Sequence, residues 1–277
     1  NRFISFGIND VQLQSFVWDN TDQYNVVATI PGTLYPKQYI IVGGHHDSIT
    51  YNQSIDPFVF APGADDNGSG SGGTLEIARV IMQSGYQPKC SIRFVTFAAE
   101  EFGLWGSKYY ASTAFEQQEQ IRLMINHDMI ANNNNPENWN LVLQPYDGSE
   151  IYNYYTLQLI NQYTNLSVYY SSNVNGSNSD SYSFWQKGYN ILYFKEYEFS
   201  PHYHSVNDIV QNINPDYCAE IIKASTACAV RFSEIPLAPI NLAVRDTGDG
   251  SSLIVTWESA SEQVLDHYNL YYSTVSG

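Results

Sequence analysis

Apolar residues along the first 234 positions follow two alternating periods. Val26 to Ile30 is a β-branched run closed by Pro31-Gly32, and Tyr39 to Gly44 (YIIVGG) is a second run. Gly72 to Ser84 carries Leu75, Ala78, Ile81 and Met82 at helical spacing before Gly85. Ile92 to Ala99 (IRFVTFAA) is apolar on nearly both faces, as a central parallel strand should be. A short helix is expected over Gly106 to Ser112, and strands over Arg122 to Asn126, Leu141 to Leu143 and Ile191 to Phe194. Ser149 to Tyr163 reads as a helix with Ser149 as N-cap, and Pro215 to Ser233 as the last helix, capped by Asn214. Such alternation predicts an α/β fold whose mainly parallel sheet is covered by helices on both faces.

The pattern changes after Glu234. Ile235-Pro236-Leu237-Ala238-Pro239 reads as a linker. Strand-like alternation follows over Asn241 to Val244, Leu253 to Glu258 and Tyr268 to Tyr272. These runs resemble the opening strands of a fibronectin type III module, with Trp257 as its core aromatic. Only part of the ~100 residues of such a sandwich is present. The expected domains are therefore 1–234 and 235–277, the second incomplete.

Composition narrows the function classes. The chain is 43% hydrophobic and 14% charged, which excludes disorder. No apolar run approaches the ~18 residues of a membrane span. A net charge of −16 disfavours nucleic acid and suits cations. Few Lys, many Tyr and Asn and the acidic balance fit a secreted or periplasmic bacterial protein, and a monomer is favoured. Asn1 follows neither Met nor a leader, as in a processed or trimmed chain. Cys218 and Cys228 lie in one expected helix, ~15 Å apart, beyond the reach of a disulfide.

The candidate chemistry collects where the strands end. His45 and Asp47 follow YIIVGG, Glu100 and Glu101 follow IRFVTFAA, Asp128 follows the strand at Asn126, and His204 follows ILYF at some distance. Asp65 and Asp66 sit in a Gly-flanked loop. In open α/β sheets the carboxyl edge of the strands is where sites form. Two His and three acids, one of them bridging, suit a pair of zinc ions with room for a shared water. Clustered carboxylates repel unless cations neutralise them. Of the adjacent Glu pair, one binds metal and the other faces the water as general base.

These residues lie in an ordered set of motifs: GGHHDS, PGADDNGSG, FAAEEFGLWGS, NHDM, SDSYSFWQKGY and YHSVND. From about Val26 to Glu234 the set resembles the co-catalytic zinc aminopeptidases of family M28. The resemblance implies a three-layer α/β/α sandwich with a mixed, mainly parallel sheet and two zinc ions per chain. It implies His45 and Asp128 on one zinc, Glu101 and His204 on the other, and Asp66 bridging. It also implies Glu100 as general base, Asp47 orienting His45, Tyr203 on the oxyanion, and a cis peptide at Asp66–Asn67. The implied substrates are peptides with a free N-terminus. Met129, Phe194 and Phe199 are candidates for an apolar substrate pocket. Three features depart from the family: no leading helix is evident before Asn25, SDSYSF replaces an SDH-containing stretch, and the Cys pair that rims some pockets is missing.

Other residues read as structural. His46 should point away from His45, and His127 should pack. His202 competes with His204 and loses on the YHS match. His267 falls in the appended segment. Asp65 and Asp208 are expected to cap or orient. Gly68-Ser69-Gly70-Ser71-Gly72-Gly73 satisfies GxGxxG, but no buried strand leads into it and no acid follows near twenty residues on. No GxSxG elbow supports a serine mechanism. The alternatives are a single-zinc acyltransferase of the glutaminyl-cyclase kind, an M28-type carboxypeptidase or dipeptidase, and a non-catalytic binding protein. With no basic residue in the metal motifs to hold a substrate carboxylate, aminopeptidase is favoured over carboxypeptidase.

Overall fold

A computed structural model describes residues 2–51, 59–135, 137–236, 239–258 and 270. It divides into a unit over 1–234 and a second over 235–277. In the first unit α1 (Arg2–Ser5) precedes β1 (Asp10–Trp18), β2 (Thr21–Ile30) and β3 (Tyr35–His45). Then come α2 (Gly68–Ser84), β4 (Cys90–Phe97), α3 (Trp105–Glu116), β5 (Gln120–His127), β6 (Asn140–Gln144) and α4 (Glu150–Tyr163). β7 (Ser167–Tyr170), α5 (Ser181–Trp185), β8 (Ile191–Glu196) and α6 (Pro215–Glu234) complete it. No described helix is long and apolar enough to cross a membrane.

The eight strands form one mixed sheet in the order β1-β2-β4-β3-β5-β8-β6-β7. Its centre, β4-β3-β5-β8, is parallel, and β1, β2 and β6 join antiparallel to their inner neighbours. β3 and β5 are buried on both faces, so helices must cover both. α2, α4 and α6 pack together on one side, and α3 with α5 on the other. Tyr110 and Ala111 of α3 and Phe184 of α5 close over Ile41, Val95, Phe97 and Met124. The expected three layers are present.

Element boundaries shift for physical reasons. α2 starts at Gly68, four residues ahead of the apolar pattern, because the Asn67 side chain accepts from Gly70 N–H and caps it. An added Cβ at Gly70 or at Gly44 would lie 2.5 Å from the His127 carbonyl oxygen. These glycines let α2 close onto β3 and β5, and the GxGxxG run is helix rather than phosphate loop. Asn214 caps α6 as expected, accepting from Tyr217 N–H at 3.0 Å. Ser149 stands at the N-cap of α4, yet its hydroxyl accepts from Ile191 N–H in β8 instead. Cys90, Cys218 and Cys228 are free thiols.

The second unit holds β9 (Ile240–Asp246) paired antiparallel with β10 (Leu253–Glu258). Both expected strands are present, and Trp257 is half-buried. The third expected strand, over 268–272, falls almost wholly outside the described residues, as does His267.

Candidate metal centre

Each strand of the parallel centre delivers its residues to one edge. His45 ends β3, Asp128 follows β5 directly, and Glu100 and Glu101 follow β4 after a tight turn. His204 lies on the loop after β8, and Asp66 on the loop that leads into α2. Three residues flanking or within the site have left-handed backbone: Ala99 (φ 55°), Met129 (φ 55°) and His204 (φ 49°). Such conformations cost on the order of 1–3 kcal/mol for a non-glycine residue and persist where the surroundings hold them. The Asp66–Asn67 peptide bond is cis, as the resemblance implied.

The donors fall into two groups that share one carboxylate. His45, Asp66 and Asp128 form the first, and Asp66, Glu101 and His204 the second, with donor atoms within 4.8 Å of one another in each. His45 Nε2 stands 3.2 Å from Asp66 Oδ1 and 3.6 Å from Asp128 Oδ1. His204 Nε2 stands 3.0 Å from Asp66 Oδ2 and 2.8 Å from Glu101 Oε2. Ligands ~2.0–2.2 Å from a tetrahedral zinc are ~3.3 Å from one another, so these spacings fit the ion. Glu101 Oε1 lacks a described hydrogen-bond partner although buried. The donor set therefore suits divalent cations, with Asp66 common to both groups.

The cluster is electrostatically strained without cations. Burial alone would lower His45, yet Glu100, Asp128, Asp47 and Asp66 outweigh it and hold the imidazole well above its ordinary pKa. His204 behaves alike: burial opposes, Asp66 and Glu101 prevail, and the pKa rises to about 10. Burial pushes Glu100 up to about 10, with Asp128, Asp180 and Glu101 adding to the shift against His45. Divalent cations between these groups would compete with the imidazole protons and return Glu100 to its ionised form.

Two aspartates hold the acidic loops. Asp47 Oδ1 accepts from Glu100 N–H and its Oδ2 from Glu101 N–H, both at 3.1 Å. It also meets His45 Nδ1, through its backbone carbonyl at 3.0 Å and its carboxylate at 3.6 Å. Asp208 repeats the device, accepting from Asp65 N–H at 2.9 Å and Asp66 N–H at 3.0 Å. Asp65 accepts from Ala131 N–H, so both Asp65 and Asp208 orient backbone as expected. His127 is fully buried and bonds Ser225 of α6, and His46 and His202 join neither donor group.

A cavity of about 390 Å³ opens over the site, lined by His45, Asp66, Glu100, Glu101 and Asp128. Met129 and Phe199, two of the candidate pocket residues, line it, and so does Tyr203. Tyr203 also stacks on the His204 ring with centroids 3.6 Å apart. Phe194 is a correction: it is fully buried and stacks on His127, on the α6 side of the sheet. Strand alternation instead turns Tyr193 and Lys195 to the cavity. Tyr169, Tyr170 and Tyr197 also line it, beside Val142, Ser171, Ser172, Asn178 and Glu196, and no local sequence pattern marks them or buried Asp180 beside SYSFW.

The model of the M28 peptidase family matches residues 25–229. The chain belongs to peptidase family M28. A probable aminopeptidase of Saccharomyces cerevisiae is 30% identical over 73% of this chain and 55% of its own length. The LapA aminopeptidase of Legionella pneumophila superposes with a TM-score of 0.72 at 25% identity, over 84% of this chain and 62% of its own. A zinc aminopeptidase of Bacillus subtilis gives a TM-score of 0.63 at 25% identity, over 78% of this chain and 51% of its own. The chain thus spans somewhat over half the length of these M28 relatives.

Proposed function

We propose that this chain hydrolyses the N-terminal peptide bond of peptides as a dizinc aminopeptidase. The observation that carries the reading is the sharing of Asp66 by two three-donor groups with Glu100 beside them. His45, Asp66 and Asp128 would hold one zinc, and Asp66, Glu101 and His204 the other. Zinc bound there would lower the pKa of water and polarise the scissile carbonyl.

The protein's own groups do the rest. Glu100 takes a proton from the attacking water and passes it to the leaving amine. Asp47 fixes both Glu100 and Glu101 through their backbone N–H groups. The Tyr203 hydroxyl donates to the developing oxyanion. The carboxylates of Asp128 and Glu101 hold the substrate's free ammonium group, and the confined cavity admits a chain end. The intact donors and Glu100 disfavour a non-catalytic binding protein, and metal stoichiometry with a test for pyroglutamate formation separates the single-zinc acyltransferase.

The names of the M28 relatives support peptidase chemistry. The acidic, Tyr-rich composition supports export, and the β9–β10 pair supports an appended β-module of the fibronectin type III kind. Aminoacyl p-nitroanilides assayed beside N-acetylated controls, with and without a chelator, test the reading. Hydrolysis confined to free amines and lost on chelation is expected. Hydrolysis that persists without metal overturns it.

A further inference from the structure

Lys195 is the only Lys or Arg among the described residues that line the cavity over the metal centre. The chain carries 28 acids against 12 bases, so a lysine in this acid-lined space is unexpected on composition alone. Register fixes its place. Lys195 of β8 pairs with Val142 of β6, and Val142 pairs with Tyr169 of β7, so the three form one row across the sheet. Tyr193, two residues earlier on the same face, feels the charges of Asp128 and Glu100. Two residues of strand separate points ~7 Å apart. Asp128 N–H bonds the Phe194 carbonyl and Glu196 N–H bonds the Met129 carbonyl, so Lys195 stands on the neighbouring strand beside Asp128 and Met129.

Among the described residues no carboxylate lies within ion-pair distance of the Lys195 ammonium. The neighbouring Glu196 also lines the cavity, but its carboxylate is engaged, accepting from Asn132 N–H and Ser200 N–H. Asp66, Glu101 and Asp128 are engaged with the imidazoles of the metal centre. Tyr169 and Tyr197, with ring centroids 4.6 Å apart, and Phe199 supply apolar wall around the half-buried stem. A cation so placed, partly shielded from water, draws an anion into the pocket.

We infer that Lys195 receives the carboxylate side chain of an N-terminal Asp or Glu, making it the residue that sets the enzyme's preference. The inference rests on the aminopeptidase reading, because only then does the first side chain of the substrate occupy this end of the cavity. The aromatic wall holds the methylene stem of the acid, and the ammonium selects its charge.

The test compares wild type with Lys195→Met, Lys195→Arg and Lys195→Glu, each checked for zinc content and thermal midpoint. Calorimetry on zinc-loaded protein uses L-glutamate and L-leucine as probes. Both carry the same α-amino acid group, so contact with metal cancels in their ratio. Kinetics on Glu-, Leu- and Lys-p-nitroanilides run alongside. Wild type should favour Glu over Leu in both readouts. Lys195→Met should cut the Glu/Leu ratio at least tenfold, Lys195→Arg should keep it, and Lys195→Glu should shift selection towards Lys-p-nitroanilide. A ratio unchanged within twofold in Lys195→Met overturns the inference. So does Lys195-dependent cleavage of N-acetylated peptides with a free C-terminus, which would assign the lysine to the terminal carboxylate. If wild type cleaves no anilide, the aminopeptidase reading fails, while calorimetry still decides whether Lys195 takes the carboxylate.

Discussion

Asp47 accepts the backbone N–H of Glu100 with one carboxylate oxygen while the other takes Glu101. One side chain thus aligns the proposed base and a candidate metal donor, and the Asp47 backbone carbonyl reaches His45 Nδ1. Asp47→Asn offers only one acceptor oxygen to this arrangement. It should lower kcat ~10–100-fold, the range seen when groups that orient metal ligands are lost. Steady-state kinetics at saturating zinc check it, and an unchanged kcat would deny Asp47 this role.

Asp208 should matter for metal rather than for the proton. Its carboxylate holds the Asp65 and Asp66 N–H groups from a position four residues past His204, coupling the two loops of the second donor group. Asp208→Ala should weaken zinc binding ~10–100-fold, with activity recovered by added zinc. Competition against a chromophoric chelator measures the shift.

Glu100→Ala should remove ~10²–10⁴-fold of turnover, the usual contribution of a general base, while zinc content stays at the wild-type level. Metal analysis beside kcat separates this from a ligand loss, since Glu100 belongs to neither donor group. A purified variant with wild-type turnover would remove Glu100 from the chemistry.

His127 predicts an acid-sensitive fold. Burial lowers its pKa from 6.5 to about 4, against a smaller opposing effect of the Gly43 backbone. The folded state therefore refuses a proton that the unfolded chain accepts. Stability is unaffected above pH 6.5 and declines as pH falls towards 4, by roughly 3 kcal/mol at the limit. Urea unfolding between pH 7.5 and 5 should show a steeper loss for wild type than for His127→Gln. Equal slopes would contradict it.

The centre of this fold was legible in the sequence because its strands are buried on both faces and end in chemistry-bearing residues. β3, β4, β5 and β8 carry long apolar runs, and each leads to a donor of the site. The outermost strands were not legible. β1 buries only Phe16 and β7 buries none of its four residues, so neither shows a one-sided pattern. α5 is too short for helical periodicity to show. Phe194 was misread because an apolar run hides which face each residue takes, and the pairing of β8 with β6 then decided between Phe194 and Lys195. Tyr169, Tyr170 and Tyr197 reach the cavity only through that pairing, which no local pattern reveals.

Anomalous diffraction at the zinc edge, from crystals of the zinc-loaded protein, tests the central claim most directly. Two peaks are predicted, one on each oxygen of Asp66, the first beside His45 and the second beside His204. A single peak, or a pair in which Asp66 touches only one ion, would contradict the shared dizinc centre.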